Sequence, residues 1–297
     1  MKPFLKFYRT IRRTLAKLTL RVFGKIIFLV TVLGICSLTY AYKIEPGWID
    51  ISRVELTLPH LAPEFQGLRI AQISDIHIDD NPMTQERLEK IVQLINQQKP
   101  DLVAITGDFV SWKPELFAHK LAIALGKLKP KEATVAVLGN HDHWTNPTII
   151  QQAIAQAGII ELSNVVYTLQ RGSAQFNIAG VDDLWAGKNR LDLVLEQLPQ
   201  EGAAILLVHE PDFADTSSAT GRFDLQLSGH SHGGQVKFPL IKPPVLPPYG
   251  KKYPVGRYQV GEMIQYTNRG LGMVKPKVRF NSRPEITVFT LDVNSNS

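Results

Sequence analysis

The chain has 297 residues, 44% of them hydrophobic and 20% charged, with a net charge of +6 and one cysteine, Cys36. That size and mixture exclude a disordered or fibrous protein and leave room for one large core or two small ones. A single cysteine excludes an intramolecular disulfide framework and a thiolate zinc cluster, so any metal must be held by nitrogen and oxygen.

The charge is unevenly placed. Residues 1–43 carry nine lysines and arginines and no acid, so the +6 total leaves −3 over residues 44–297. A mildly acidic body lacks the basic footprint of a nucleic-acid binder, and no nucleic-acid partner is expected. Within the basic N-terminus, Ile26–Tyr42 ("IIFLVTVLGICSLTYAY") has no charged residue. Extended back to Val22, it is long enough to cross a hydrocarbon core of about 30 Å, with Lys25 snorkelling at its edge. Residues 22–42 are therefore expected to contact the membrane. "IRRTLAK" (Ile11–Lys17) is similar to a twin-arginine export signal, and Ala41 is a small residue suited to precede a cut. A cleaved signal and a retained anchor both stay open. The positive-inside rule puts the basic side in the cytoplasm and the body on the extracytoplasmic side of the inner membrane.

"EPGW" (Glu45–Trp48) reads as a linker. After it, short apolar runs alternate with helical patterns. "LRIAQISDIH" (Leu68–His77) is a β-branched strand ending in polar residues. "TQERLEKIVQLINQQ" (Thr84–Gln98) places Leu88, Ile91, Val92 and Ile95 on one helical face. "DLVAITGD" (Asp101–Asp108) is a buried strand, "ELFAHKLAIALGKL" (Glu115–Leu128) a helix, and "TVAVLGNHDHW" (Thr134–Trp144) a strand before a helix at "TIIQQAIAQAG". Further strands are expected at "VVYTLQ", "FNIAGVDD", "AAILLVHEPD" and "EITVFTLDV", with a helix near "LDLVLEQL". The pattern gives an α/β class with a partly mixed sheet. "FPLIKPPVLPPYGKKYPVG" is a loop; its apolar residues with Lys242, Lys251, Lys252 and nearby Arg257 suit an amphiphilic phosphate, or simply a proline-stiffened surface.

The polar residues of interest lie where apolar strands stop, the place where open α/β sheets bind ligands. They are Asp75 and His77; Asp108; Asn140, His141 and Asp142; His209; and His230 and His232. Carboxylates, imidazoles and one amide suit Mn²⁺, Zn²⁺ or Fe. Asp75 and His77, like His230 and His232, are two apart, so on an extended chain both members of a pair face one way. Gly107, Gly139 and Gly229 precede them and permit sharp turns close to an ion. His60, His119 and His143 read as ordinary structural histidines.

In this order, "DIH", "GD", "GNHD", "VHEPD" and "GHSHGG" resemble the calcineurin-like metallophosphoesterase family over most of residues 68–240. "GRYQVGEMIQYTNRGLG…VRFNSRPEITVFTLD" looks like its signal-bearing bacterial branch, which includes exported phosphoesterases and UDP-2,3-diacylglucosamine hydrolases. The resemblance implies a four-layer α/β/β/α sandwich, preceded here by the N-terminal transmembrane or signal helix. It divides the chain into a basic anchor or signal segment, 1–44, and a catalytic domain, 45–297. It implies two divalent ions (Mn, Zn or Fe, with manganese favoured): Asp75, His77 and His232 on one, Asn140, His209 and His230 on the other, and Asp108 bridging. His141 would sit beside the substrate and protonate the leaving oxygen, with Asp142 orienting it. Ser282 stands where relatives often carry cysteine. The implied reaction is phosphodiester or pyrophosphate hydrolysis, and the membrane segment points to a lipid-linked or envelope phosphate ester. The alternatives are a UDP-2,3-diacylglucosamine pyrophosphatase, which needs cytoplasmic access to its nucleotide substrate, and a non-catalytic membrane-tethered metal-binding scaffold. The scaffold predicts a missing ligand, and none is missing.

Overall fold

A computed structural model describes residues 2–294, which form two compact units, one ending at Ile44 and one beginning at Glu45. In the first, α1 (Lys2–Thr39) continues into a wider helical turn at Tyr40–Ile44. Thr10–Gly47 contains an apolar helical stretch, with a mean hydropathy of 2.2, long enough to cross a membrane. Its side chains from Thr10 to Thr39 are exposed, so nothing in this unit covers that apolar surface.

The second unit is built on two six-stranded sheets. Its strands are β1 (Asp50–Leu58), β2 (Leu68–Ile73), β3 (Leu102–Thr106), β4 (Ala133–Val137), β5 (Ile160–Glu161) and β6 (Val165–Arg171). They continue as β7 (Ala174–Gly180), β8 (Ala203–Leu207), β9 (Leu225–Ser228), β10 (Gly256–Val260), β11 (Met263–Thr267) and β12 (Glu285–Val293). One sheet runs β1-β12-β2-β3-β4-β5 and the other β10-β11-β9-β8-β7-β6. In the first, β2 to β5 are mutually parallel, and β12 joins antiparallel to β2. In the second, β7, β8, β9 and β11 are parallel, with antiparallel β6 and β10 at the edges.

Both faces of the central strands are covered, which is why they read as unbroken apolar runs. Along β2, Leu68 and Ile70 point into the core between the sheets, while Ala71 and Ile73 point to the helices. Those helices are α2 (Gln85–Gln97), α3 (Pro114–Leu125) and α5 (Pro147–Gln156). On the far side, Ala204 and Leu206 of β8 meet α6 (Leu191–Gln197) and α7 (Ala214–Ser218). The short α4 (Asn140–Trp144) caps the end of β4. The result is the expected α/β/β/α sandwich.

Several segments differ from the sequence reading, and β5, β10 and β11 were not among the expected strands. "EPGW" is not a free linker: Glu45 is fully buried and accepts the backbone N–H groups of Asn281 and Ser282. β1 had no counterpart in the expected elements, because its exposed polar residues interrupt the apolar run. The sheets are tied near the site by Gln72, whose amide donates to Thr106 Oγ1 at 3.1 Å and to the Ser228 carbonyl at 3.0 Å. Between the sheets, buried Phe176 packs on Phe65 with ring centroids 5.6 Å apart. Phe176→Ala should therefore cost about 3–5 kcal/mol in denaturant unfolding of the full chain. A loss below about 1 kcal/mol would mean that this layer is not a packed core.

Candidate metal centre

The site residues follow the carboxyl ends of β2, β3, β4, β8 and β9, on loops and on the short α4. Asp75, His77, Asp108, His230 and His232 all have positive φ, between 48° and 69°. Non-glycine residues rarely adopt this region, and five together mark a locally strained site. This corrects the extended-chain reading of the two pairs. β2 ends at Ile73 and β9 at Ser228, so left-handed residues, not the β pleat, turn the pairs inward. Gly139 and Gly229 are also not needed for unusual dihedrals. A Cβ at Gly139 would overlap Asp108 Oδ1, and one at Gly229 would overlap Ser74 Oγ and Asp75 Oδ2. These glycines supply room.

The acceptor atoms converge. His77 Nε2 and His232 Nε2 are 3.2 Å apart, and His232 Nε2 is 3.3 Å from Asp75 Oδ1. Asp108 Oδ2 lies 3.5 Å from His77 Nε2 and 3.3 Å from His209 Nε2. Three overlapping groups each bring their ligand atoms within 4.8 Å: Asp75, His77 and His232; His77, Asp108 and His141; Asp75, Asp108 and His209. His230 is in none of these groups, but its ring is 4.8 Å from that of His209. Asn140 is buried, and its Oδ1 has no hydrogen-bond partner.

Backbone carbonyls fix several ring tautomers, since a carbonyl can only accept. His209 Nδ1 donates to Thr106 at 2.7 Å, which turns Nε2 toward Asp108; that nitrogen is buried and has no hydrogen-bond partner. His230 Nε2 donates to Pro248 at 2.8 Å and leaves Nδ1 as its free acceptor. Burial lowers His77 to about 3 and His230 to about 4, and holds His232 well below its ordinary range, so these rings are neutral. Burial would lower His209 as well, but the neighbouring Asp108 carries it well above. Burial opposes ionisation of Asp108, and His209 and His141 hold it below the usual range nonetheless. Burial raises Asp75 to about 6. Neutral imidazoles, carboxylates and an orphaned amide oxygen fit a divalent metal centre.

His141 lies at the rim, half-buried, with its ring 4.8 Å from that of His77. Its orienting partner corrects the expectation. His141 Nδ1 donates to the Ser111 carbonyl at 3.2 Å, and among the described residues no hydrogen bond joins the Asp142 carboxylate to the ring. Asp142 instead accepts backbone N–H groups from Asp108 at 2.9 Å, Phe109 at 2.9 Å and Gly139 at 3.0 Å. Burial and Asp108 push its carboxyl up to about 7, whereas these donors favour the ionised form. Its physical role is to lock the loop carrying Asp108 onto the loop carrying Asn140.

Other supports were not singled out in the sequence. Arg279 is fully buried and donates to the carbonyls of Arg269, Gly270, Gly272 and Ser282. It thereby holds the 270–272 loop, whose glycines pack against Asp75 and His77. Burial lowers the guanidinium to about 9. Ser282, whose N–H is taken by Glu45, donates its hydroxyl to the His232 carbonyl at 3.0 Å. Glu210 accepts from the N–H groups of Leu184 at 3.1 Å and Trp185 at 2.8 Å, which sets Trp185 beside His230. Burial and Glu210 raise Asp183 to about 9. "VDDLW" and "HEPD" contain these residues, but nothing in their spacing shows the pairing. His60 and His143 pair with Asp224 and Asp182, each at 2.7 Å, and His119 lies on α3.

Two cavities meet at His141. One of about 460 Å³ reaches from Asp108 and His230 to Trp144, Trp185 and Val245. The other, about 680 Å³, is lined by Trp112, Lys113, Lys275 and Lys277.

Residues 68–234 match the model of the calcineurin-like phosphoesterase family. The chain is 38% identical over 257 residues to the uncharacterized metallophosphoesterase YkuE of Bacillus subtilis, covering 85% of this chain and 88% of that one. It is 31% identical over 258 residues to the phosphodiesterase YaeI of Escherichia coli, covering 85% and 92%. A transmembrane protein with a metallophosphoesterase domain from Danio rerio is 30% identical over 278 residues, covering 89% of this chain and 61% of that one. With its clustered carboxylates and imidazoles, the chain belongs to the calcineurin-like phosphoesterase family and is a metal-dependent phosphoric ester hydrolase.

Proposed function

We propose that the chain is a membrane-associated phosphodiesterase acting on a lipid-linked or envelope phosphate ester, through a centre of two divalent ions with manganese favoured. The observation that carries the substrate class is the cavity beside Asp108 and His141, walled by Trp144, Trp185 and Val245. An apolar wall directly beside a charged centre suits a phosphate attached to an apolar group. The helix within Thr10–Gly47 supports membrane association, and the nine basic residues before Ile44 favour an extracytoplasmic body. On this reading residues 1–44 are the anchor or signal and residues 45–297 the catalytic domain.

Asp75, His77 and His232 would hold one ion and Asn140, His209 and His230 the other. Asp108 Oδ2, between His77 and His209, would serve both. When bound, such ions lower the pKa of water toward neutrality and neutralise charge on the phosphoryl oxygens. The chain's own contribution is placement. Asp142 fixes Asp108 relative to Asn140, and the Ser111 carbonyl holds His141 Nδ1–H, which leaves Nε2 as the ring's other nitrogen for substrate. His141 is then the group that hands a proton to the departing oxygen.

Purified full-length protein should hydrolyse bis-p-nitrophenyl phosphate with added Mn²⁺ and lose that turnover to a chelator; turnover that survives chelation would sink the metal mechanism. Asp108→Asn should remove paired metal uptake and activity together. His141→Ala should lower kcat about 10²–10⁴-fold while metal content stays near two per chain. Loss of both ions in that variant would make His141 a ligand, not a proton donor.

A further inference from the structure

We propose that the loop Val236–Gly250 inserts into the interface of an anionic bilayer and seats the catalytic mouth on the membrane. This rests on the lipid-ester reading for its purpose but stands on separate observations. Phe238, Leu240, Ile241, Val245 and Tyr249 are all exposed, Leu240 fully and Val245 at 75%. Pro239, Lys242, Pro244 and Pro248 between them are exposed too. Leaving this many large apolar side chains of one loop uncovered in water costs free energy that covering them would recover. Trp112, Trp144 and Trp185 are part-exposed around the same mouth. Tryptophan and tyrosine beside lysine are the residue types that settle at a membrane interface.

Charge selects the occupant. No acid occurs from Leu225 to Gly261, while Lys237, Lys242, Lys251, Lys252 and Arg257 lie in that span. Lys252 is paired with Asp215 at 2.7 Å; Lys113 and Lys275 add exposed cations at the neighbouring cavity, which Asp79, paired with Lys277, and exposed Asp80 also line. A basic rim around an apolar tip complements anionic headgroups over acyl chains, whereas an apolar protein groove would not need the lysines. The loop is also fixed to the site. Its Pro248 carbonyl accepts from His230 Nε2, Tyr249 O accepts from the N–H of Asp212, and Phe238 packs on Phe280 at 5.8 Å. Val245 both lines the cavity over Asp108 and points outward, so a docked bilayer would abut the cavity itself.

The test uses full-length protein with Cys36→Ser, carrying an environment-sensitive fluorophore on Leu240→Cys or, as control, on Lys90→Cys of α2. Each is reconstituted in vesicles of phosphatidylcholine with phosphatidylglycerol, with or without brominated acyl chains. The Leu240 probe should emit to the blue and be quenched about twofold or more by brominated chains, and the Lys90 probe should not. Equal behaviour of the two probes overturns the proposal, as does a blue shift that follows protein concentration and not bromination, which would make the occupant a second copy. In parallel, Leu240→Asp with Ile241→Asp should leave bis-p-nitrophenyl phosphate turnover unchanged and cut hydrolysis of vesicle phospholipid about tenfold. A quenched probe with no phospholipid hydrolysis by the parent protein leaves docking in place and removes the lipid-ester reading. Phospholipid hydrolysis with an unquenched probe does the reverse.

Discussion

The structure turns on a crowding of acceptors. Two carboxylates, several imidazole nitrogens and an amide oxygen meet in a buried space with few donors among them. Asp108 Oδ2 faces two ring nitrogens at 3.3 and 3.5 Å, and two more ring nitrogens approach to 3.2 Å. Such a cluster repels itself in a low-dielectric setting unless positive charge joins it. Asp108 holds the His209 ring above its ordinary range against the opposing effect of burial, the direction a negatively charged neighbourhood gives. Family membership and the donor set therefore point the same way from independent directions.

Much of the surrounding scaffold holds this cluster in place. Five left-handed residues aim the side chains inward, and each such residue costs free energy that the rest of the fold must offset. The offsets are visible as buried polar contacts. Asp142 gathers backbone N–H groups from both the 108 and 139 loops, and Arg279 gathers four carbonyls behind Asp75. Glu45, at the very start of the second unit, reaches His232 through the turn at Ser282. Gln72 ties the ends of β2 and β9 that lead to the candidate ligands across the two sheets.

The sequence made the first layer of this legible, and not the second. Apolar runs buried on both faces reveal β2, β3, β4 and β8 at once, and the polar residues ending them reveal the candidate site. The spacing of Asp75 and His77 suggested a pleated strand, although the backbone there is left-handed; a two-residue interval is compatible with both. The family resemblance made Asp142 the partner of His141, but a residue at the first turn of α4 points its carboxylate back to the N–H groups of the preceding loop. Arg279, Glu45, Asp183 and Glu210 act through contacts that span up to 237 residues, as Glu45 does with Ser282, and no local pattern encodes those.

One consequence joins the centre to its surroundings. The segment that carries His230 and His232 runs through one short 3-10 turn, His232–Gly234, into the acid-free apolar loop, and that loop returns to bond His230 through Pro248. Gly234 permits the return, since a Cβ there would strike Pro243. The base of the loop at Pro248, and not its tip at Leu240, is the part that holds the His230 ring. On the opposite wall Trp185 is placed by Glu210, the residue after His209. Both walls of the mouth are therefore anchored by hydrogen bonds to segments that carry candidate ligands, Pro248 to His230 and Trp185 to Glu210 beside His209.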